Sequence, residues 1–291
     1  MITLRPSAKI NLTLHVGRRR GDGFHDVRTV MQSLALSDRL TLARTRGPLR
    51  LVVPSGRVTA DPTNLVWRAA QIMWRASGRA GDPQGVTMTL DKAIPVAAGL
   101  GGGSADAAAA LAGLNRLWRA RLSPPALLDL AAQLGSDVPF FLVGGTALAM
   151  GRGEQLYPLA DAARLHVVLI KPAFDVSTAD AYRWFDEDPA SGGSSPGQAA
   201  EIGWPTGPVQ LVNDLQASVS RRHPEIAEMA AGLTAAGAGA AMMSGSGSSV
   251  FGIFAKPPRP SALAVLSRPG RQIIVTRTIP RRETLRRIAL C

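Results

Sequence analysis

Cysteine is nearly absent from this chain, and so are the features that would indicate a secreted or membrane protein. Cys291 is the one cysteine among 291 residues, so the chain cannot form an internal disulfide. No run of eighteen apolar residues occurs, and residues 1–6 lack the apolar stretch and cleavage site of a signal peptide. We therefore expect a cytoplasmic protein with no membrane partner.

Histidine and aromatic residues are also scarce. The four histidines are scattered without metal-ligand spacing, so we predict no metal held by the protein alone and expect any metal to arrive with a nucleotide. Aromatic residues make up 5% of the chain, which is few for a protein that stacks exposed rings on RNA. We expect no nucleic acid partner. The net charge of +12 keeps a basic RNA-binding protein as an alternative, but it suits phosphorylated metabolites equally well.

Lysine is rare even though the chain is basic. Only four of the 33 basic residues are lysines, namely Lys9, Lys92, Lys171 and Lys256. A compact ammonium group cannot be replaced by a planar guanidinium at a tight catalytic position. The four lysines are therefore candidates for catalytic residues.

The most informative stretch is residues 95–108, a glycine-rich loop followed by an alanine-rich helix predicted over residues 105–118. Its closely spaced glycines allow backbone N–H groups to turn inward around an anion. We predict Ser104 as the N-cap of the helix, whose positive dipole end would face that anion. The spacing matches neither a P-loop nor a dinucleotide fingerprint. The sequence thus predicts a phosphate-binding loop, with a flexible linker as the alternative.

Residues 8–16 alternate between apolar and polar side chains, which predicts a half-buried strand. Lys9 and Asn11 lie on its polar face, where they either line a cleft or point into solvent. Asp137 lies among apolar residues, where a charge is costly, and a turn or N-cap role is its alternative. Gly144 and Gly145 separate two apolar runs and predict a hairpin.

The remaining pattern interleaves strands and helices, which is typical of an α+β protein. We place a domain boundary near residue 160 and a surface loop at residues 186–208, a Gly-, Ser- and Pro-rich stretch without apolar periodicity. Residues 243–249 form a second glycine-rich segment, for which a plain turn is one reading. Strands are predicted at residues 27–36, 39–43, 49–53, 86–90, 166–170, 250–255 and 273–278, and helices at about 65–77, from 124 to Gly135, at 178–185, within 209–235 and at 261–267.

Five segments together resemble the GHMP kinase superfamily: PSAKINLTL (6–14), GDGFH (21–25), IPVAAGLGGGSADAA (94–108), GSDVPFF (135–141) and MSGSGSSVF (243–251). The resemblance implies an α+β, two-domain fold with an active site between the domains. Residues 1–160 would form a ribosomal-S5-like, ATP-binding domain and residues 161–291 a ferredoxin-like domain. It also implies an ATP-dependent small-molecule kinase that uses Mg²⁺ and is a monomer or weak homodimer.

The resemblance also implies roles for individual residues. Lys9 and Asp137 match the catalytic pair, in which the carboxylate accepts the proton of the acceptor hydroxyl and the ammonium polarises that hydroxyl. The acceptor would carry a cytidine diphosphate group bound by Asn11, Phe24, His25, Thr178 and Tyr182. ATP would be bound by Asn64 and Leu65 beside the adenine, and by the loop residues Pro95, Val96, Ala97, Ala98, Gly99, Leu100, Gly101, Gly102, Gly103, Ser104 and Ala105.

The chain departs from the family pattern at four positions. Phe24 stands where tyrosine is common and Tyr182 where phenylalanine is common, so ring stacking is kept while hydroxyl groups change place. Ala105 replaces a usual serine, and Gln216 replaces a usual glutamate. Another GHMP kinase, acting on homoserine or a mevalonate, remains the nearer alternative.

Overall fold

The computed structural model describes residues 1–188 and 211–290, which form three β-sheets and the helices that cover them. The strands are β1 (Ile2–Leu4), β2 (Ser7–Arg19), β3 (His25–Ser37), β4 (Arg39–Pro48), β5 (Arg50–Val52), β6 (Gln84–Asp91), β7 (Thr146–Met150), β8 (Gln155–Pro158), β9 (His166–Lys171), β10 (Val212–Asn213), β11 (Ala240–Met243), β12 (Val250–Phe254) and β13 (Gln272–Arg277). The helices are α1 (Leu65–Ala76), α2 (Gly102–Leu117), α3 (Pro124–Leu134), α4 (Phe140–Val143), α5 (Thr178–Glu187), α6 (Gln216–Arg222), α7 (Glu225–Ala235), α8 (Pro260–Ala264) and α9 (Arg281–Arg287).

The first core is built around α2, which is buried along most of its length. Helices α1 and α3 pack on α2, and the sheet β1-β4-β6-β5 supplies the opposite face of the core. The alanine-rich sequence of α2 permits this close approach, since small side chains keep the helix surface near its axis. At Gly113 a Cβ atom would lie only 2.7 Å from Leu4 Cδ1, so no larger residue fits there without a shift.

The second sheet has the order β10-β2-β3-β7-β8 and carries the polar strand predicted at residues 8–16. Strand β2 lies between β3, which is antiparallel to it, and β10, which is parallel. The C-terminal helix α9 also contacts α4 of this first half. Elements from late in the chain therefore complete the N-terminal half, and the boundary near residue 160 stays a prediction.

The third sheet has the order β11-β12-β9-β13, and every neighbouring pair in it is antiparallel. Along the chain the strands of this sheet and the helices between them run β9, α5 to α7, β11, β12, α8, β13, and the short strand β10 between α5 and α6 belongs to the second sheet. That order is the split β-α-β-β-α-β arrangement of a ferredoxin-like domain. A third cluster of buried residues, including Ile10, Leu100 and Phe251, joins this sheet to β2 and to the glycine-rich loop.

Two local predictions are wrong. Ser104 is not the N-cap of α2, because Gly101 takes a left-handed conformation (φ 71°) and starts the helix at Gly102. The segment around Gly144 and Gly145 is not a hairpin turn, since residues 140–143 form the one-turn helix α4 and Gly144 ends it. Within the described residues, no helix is long and apolar enough to cross a membrane. Of the loop predicted at residues 186–208, the first two residues belong to α5, and residues 189–208 lie outside the described residues.

Candidate active site

A cleft of ≈ 580 Å³ is lined by the glycine-rich loop, β2, the start of α1 and residues 245–247. Three consecutive carbonyls of the loop accept hydrogen bonds from other parts of the protein. Leu100 O accepts from Lys9 N at 3.0 Å, Gly99 O accepts from the Ser244 hydroxyl at 3.0 Å, and Ala98 O accepts from Ser249 N at 3.3 Å. These three bonds hold the loop against β2 and the segment at residues 244–249, and they keep the three oxygens from facing a ligand. We call this cleft the inner part of the site.

Close packing demands glycine at two loop positions. A Cβ atom on Gly99 would lie 2.1 Å from Ser244 O, and one on Gly101 would lie 2.6 Å from the ring of Phe141. Both residues have a backbone φ near +70°, which residues other than glycine adopt only with strain. The loop is therefore locked between the segment at 244–247 and α4, and it is not a linker.

The start of α2 lies at the inner part, which is lined by Gly102, Gly103 and Ser104. Among the described residues, no side chain caps this helix end. Uncapped N–H groups and the positive end of a sixteen-residue helix form a favourable anion site. The absence of a Ser104 cap therefore supports the interpretation of the loop as a phosphate-binding site, because a side-chain cap would have occupied the N–H donors that an anion needs.

Lys9 and Asp137 meet beside this loop. Lys9 Nζ lies 3.3 Å from Asp137 Oδ2 and donates to Asn11 Oδ1 at 2.7 Å. Asn11 Nδ2 in turn donates to the Thr29 hydroxyl at 2.7 Å. The lysine is 4% exposed, whereas the aspartate side chain is 39% exposed and open to the cleft. A fixed ammonium thus lies against a carboxylate that a substrate can reach.

A buried ion triad lies under the loop, formed by Lys92 with Asp38 and Asp106. Lys92 Nζ donates to Asp106 Oδ2 at 2.7 Å and also bonds Asp38, which accepts the backbone N–H groups of Ala93 and Ile94. Burial raises the pKa of Asp106 well above its usual range, although the Lys92 ammonium opposes this. The triad connects the turn between β3 and β4, the residues that follow β6 and lead into the loop, and α2, and so holds the phosphate loop in place.

The outer part of the site is a second cleft, of ≈ 780 Å³, that opens beyond Asp137. The His25 and Tyr182 rings are 5.2 Å apart at its wall, and His25 Nε2 lies 2.8 Å from Asp186 Oδ1. Burial raises the pKa of Tyr182 above its usual value, so its phenol stays neutral. Phe24 lies at the rim of the cleft and is 53% exposed.

Comparison with known proteins decides the family. The GHMP kinases N terminal domain matches residues 64–145, and the GHMP kinases C terminal domain matches residues 193–271. A protein of Pelotomaculum thermopropionicum named 4-diphosphocytidyl-2-C-methyl-D-erythritol kinase is 46% identical over 96% of this chain and 98% of its own length. The chain belongs to the GHMP kinase family, in the branch of the 4-diphosphocytidyl-2-C-methyl-D-erythritol kinases. The predicted α+β GHMP kinase fold is thereby confirmed.

Solved GHMP kinase structures agree with this placement. The crystal structure of a 4-(cytidine 5'-diphospho)-2C-methyl-D-erythritol kinase superposes with a TM-score of 0.80 at 35% identity, covering 95% of this chain and 99% of the other. The mevalonate kinase of Methanococcus jannaschii superposes with a TM-score of 0.69 at 11% identity, covering 96% and 98% of the two chains. The second likeness shows the shared GHMP kinase fold alone.

The structure brings most of the predicted GHMP kinase site residues together. Phe24 and His25 line the outer part, while Thr178 and Tyr182 line both parts. Ala105 lies in the first core, and its N–H donates within α2 to Gly101 O. Asn64 is the N-cap of α1, so its side chain already bonds Val66 N and Thr59 O. The inner part is lined by Lys9, Asn11, Asn64, Leu65, Asp137 and the predicted loop from Pro95 to Ser104.

Sequence reasoning missed several residues that line the inner part. Lys92 stood out only as a retained lysine, and Asp106 gave no signal. A plain turn was one interpretation of the segment around Ser246. The Ser246 hydroxyl, however, lies 3.1 Å from the Thr178 hydroxyl across the cleft. Arg152 also lines both parts of the site. Because Arg152 is one of 33 basic residues, nothing in the sequence marks it as a residue of the site.

Proposed function

We propose that this chain transfers the γ-phosphoryl group of ATP to the 2-hydroxyl of 4-diphosphocytidyl-2-C-methyl-D-erythritol, in the non-mevalonate isoprenoid precursor pathway. One observation carries the proposal: the Lys9–Asp137 pair, 3.3 Å apart, lies where the phosphate loop meets the aromatic outer part. The names of the relatives with nearly full-length similarity support the choice of acceptor.

Phosphoryl transfer needs alignment and charge stabilisation more than covalent help from the protein. The N–H groups of the loop and of the first turn of α2 bind the β- and γ-phosphates of ATP. Asp137 accepts the proton of the acceptor hydroxyl, which makes the oxygen a better nucleophile. Lys9 holds that oxygen and the carboxylate together and offsets negative charge at the γ-phosphate.

Mg²⁺ would enter as its complex with ATP. The described residues contain no cluster of three or more His, Cys, Asp or Glu side chains that could hold a metal ion. They do place the Ser104 hydroxyl and Asp106 in the lining of the inner part, and the Oδ1 atom of Asp106 is buried without a hydrogen-bond partner. Two such oxygens fit an ion that keeps phosphate oxygens and water as its other ligands. When bound, the ion would neutralise charge on the transferred phosphate.

The cytidine of the acceptor would bind in the outer part. His25 presents a ring edge held by Asp186, while Tyr182 and Phe24 supply aromatic faces. Base stacking on an aromatic ring contributes about 1–3 kcal/mol per base. The base would therefore anchor one end of the acceptor and leave its methylerythritol end beside Asp137.

The test is kcat/KM for the cytidylylated methylerythritol compared with homoserine and mevalonate at saturating ATP. We expect turnover with the first acceptor only, because the other two lack the base that the outer part would bind. Efficient phosphorylation of homoserine or mevalonate would contradict the assignment of the acceptor and leave a GHMP kinase of another specificity.

A matched pair of variants tests the role of the aromatic rim. Phe24→Ala should raise the KM of the cytidylylated acceptor about tenfold, since it removes one stacking surface. Tyr157→Ala removes an aromatic side chain of similar exposure on β8, outside both parts of the site, and should change nothing. Equal effects of the two substitutions would remove Phe24 from the site.

A further inference from the structure

The inner and outer parts of the site meet along a short strip that contains Asp137, Thr178 and Arg152. Of the basic residues that the structure describes along the two parts, Lys9 and Lys92 line the inner part alone, and Arg19 and Arg183 line the outer part alone. Arg152 lines both. Its guanidinium therefore lies at the junction through which an acceptor anchored in the outer part must reach Asp137.

The backbone holds Arg152 firmly at this junction. It lies in the turn between β7 and β8, where Arg152 N donates to Glu154 Oε2 at 2.7 Å and Gly153 N donates to Met150 O at 3.0 Å. Gly151 O accepts from Val27 N at 2.7 Å, which fastens the turn to β3. The Cα of Arg152 is thus fixed, while its side chain, 39% exposed, can turn toward a ligand.

The guanidinium of Arg152 is only weakly neutralised. Its Nε lies 3.9 Å from Glu154 Oε1, at the outer limit of an ion pair, and its Cζ lies 5.3 Å from the centre of the Phe24 ring. Arg183, by contrast, is 2.7 Å from Asp180 and 3.6 Å from Glu187. The donors of Arg152 are therefore the more available of the two, and they lie beside the aromatic ring proposed to take the base.

We propose that Arg152 binds the diphosphate of the acceptor and so sets the distance between its base and its reactive hydroxyl. The inference rests on the proposed function, in which the base lies at Phe24 and His25 and the hydroxyl at Asp137. The diphosphate connects those two ends, and the junction lies between them. A guanidinium fork binds phosphate oxygens in a bidentate, charge-assisted manner.

The experiment measures the affinities of cytidine, CMP and CDP for the full-length enzyme, with the ATP position saturated by a non-hydrolysable ATP analogue. Wild-type enzyme should bind CDP much more tightly than cytidine. Arg152→Ala should weaken CDP binding about 10- to 100-fold, the usual range for loss of a hydrogen-bonded charged partner, and leave cytidine binding unchanged. Arg152→Lys should lie between the two, since it keeps charge without the fork.

Arg18→Ala is the matched control, because Arg18 is an exposed arginine near the end of β2 that lines neither part. It should leave all three affinities unchanged. In turnover, Arg152→Ala should raise the acceptor KM far more than it lowers kcat, with the KM of ATP unchanged. A general structural role would shift the affinities of cytidine and ATP as well.

Three results would overturn the inference. If Arg152→Ala binds CDP as the wild type does while the wild type phosphorylates the cytidylylated acceptor, the inference fails and the proposed function stands. If Arg152→Ala weakens the ATP analogue and not CDP, Arg152 belongs to the ATP position. If the wild type binds ATP but no cytidine compound, the proposed acceptor and the role of Arg152 both fail.

Discussion

Replacing Asp137 with asparagine keeps the size of the side chain and removes its ability to accept a proton. We expect Asp137→Asn to lower kcat by about 10²- to 10⁴-fold, the usual cost of losing a general base. That loss corresponds to about 3–5 kcal/mol of activation free energy, because each tenfold change is 1.36 kcal/mol. The affinity for ATP should change by no more than a few fold, since the phosphate loop is held by other contacts.

The effect of this substitution on folding should be much smaller than its effect on catalysis. At 3.3 Å and an effective dielectric constant of about 20, the Lys9–Asp137 attraction is about 5 kcal/mol before desolvation and screening are subtracted. Because the Asp137 side chain is 39% exposed, solvent screens most of that energy, and we expect a net loss of about 1 kcal/mol or less in the free energy of unfolding. Lys9 also keeps Asn11 as a partner.

The assay combines single-turnover phosphorylation, ATP-analogue binding and thermal unfolding for Asp137→Asn and for the control Asp129→Asn. Asp129 is an exposed carboxylate on α3, so its substitution removes the same charge outside the site. A folded Asp137→Asn protein with turnover within tenfold of wild type would refute the assigned role. So would a loss of ATP affinity as large as the loss of turnover.

Lys9→Arg should lose nearly as much turnover as Lys9→Ala, because the buried space beside the loop fits an ammonium and not a planar guanidinium. A kcat of Lys9→Arg near that of the wild type would show that positive charge alone is enough. Gly103→Val should raise the Kd of ATP with little change in the melting temperature. Gly102→Val should instead lower the melting temperature, since a Cβ at residue 102 would point at Ile94, whereas one at residue 103 would meet only one leucine, at 3.7 Å. A lower melting temperature for Gly103→Val and weaker ATP binding for Gly102→Val would contradict these orientations. Lys92→Met leaves two buried carboxylates without their cation and should cost about 3–5 kcal/mol of unfolding free energy, while the exposed Lys256→Met should cost almost nothing in the same denaturant titration.

Local patterns predicted the parts of the site that depend on neighbours in sequence. The alternation in residues 8–16 predicts strand β2, and the glycine spacing predicts the anion loop. The alternation could not show whether Lys9 and Asn11 face solvent. Both are buried because residues from a distant segment, around Gly245, lie against their polar ends. Tertiary packing thus decided what the strand pattern left open.

The errors arose where one local signal fits two structures. A glycine pair between apolar runs suits a hairpin and equally suits a helix end. Gly144 ends α4 with a positive φ of 67°, and Thr284 of the distant helix α9 packs against it, so that a Cβ at that glycine would lie 2.7 Å from the threonine. The ion triad around Lys92 joins residues from three segments that are far apart in sequence, so no spacing in the sequence could reveal it.

The most direct test of the account is the identity of the reaction product. Purified enzyme, ATP with Mg²⁺ and 4-diphosphocytidyl-2-C-methyl-D-erythritol would be incubated and the mixture followed by ³¹P NMR. We predict one new phosphate monoester on the 2-hydroxyl of the acceptor, an unchanged diphosphate, and one ADP formed per product. Consumption of ATP without a new monoester on that acceptor, or a phosphate on another of its hydroxyls, would contradict the account.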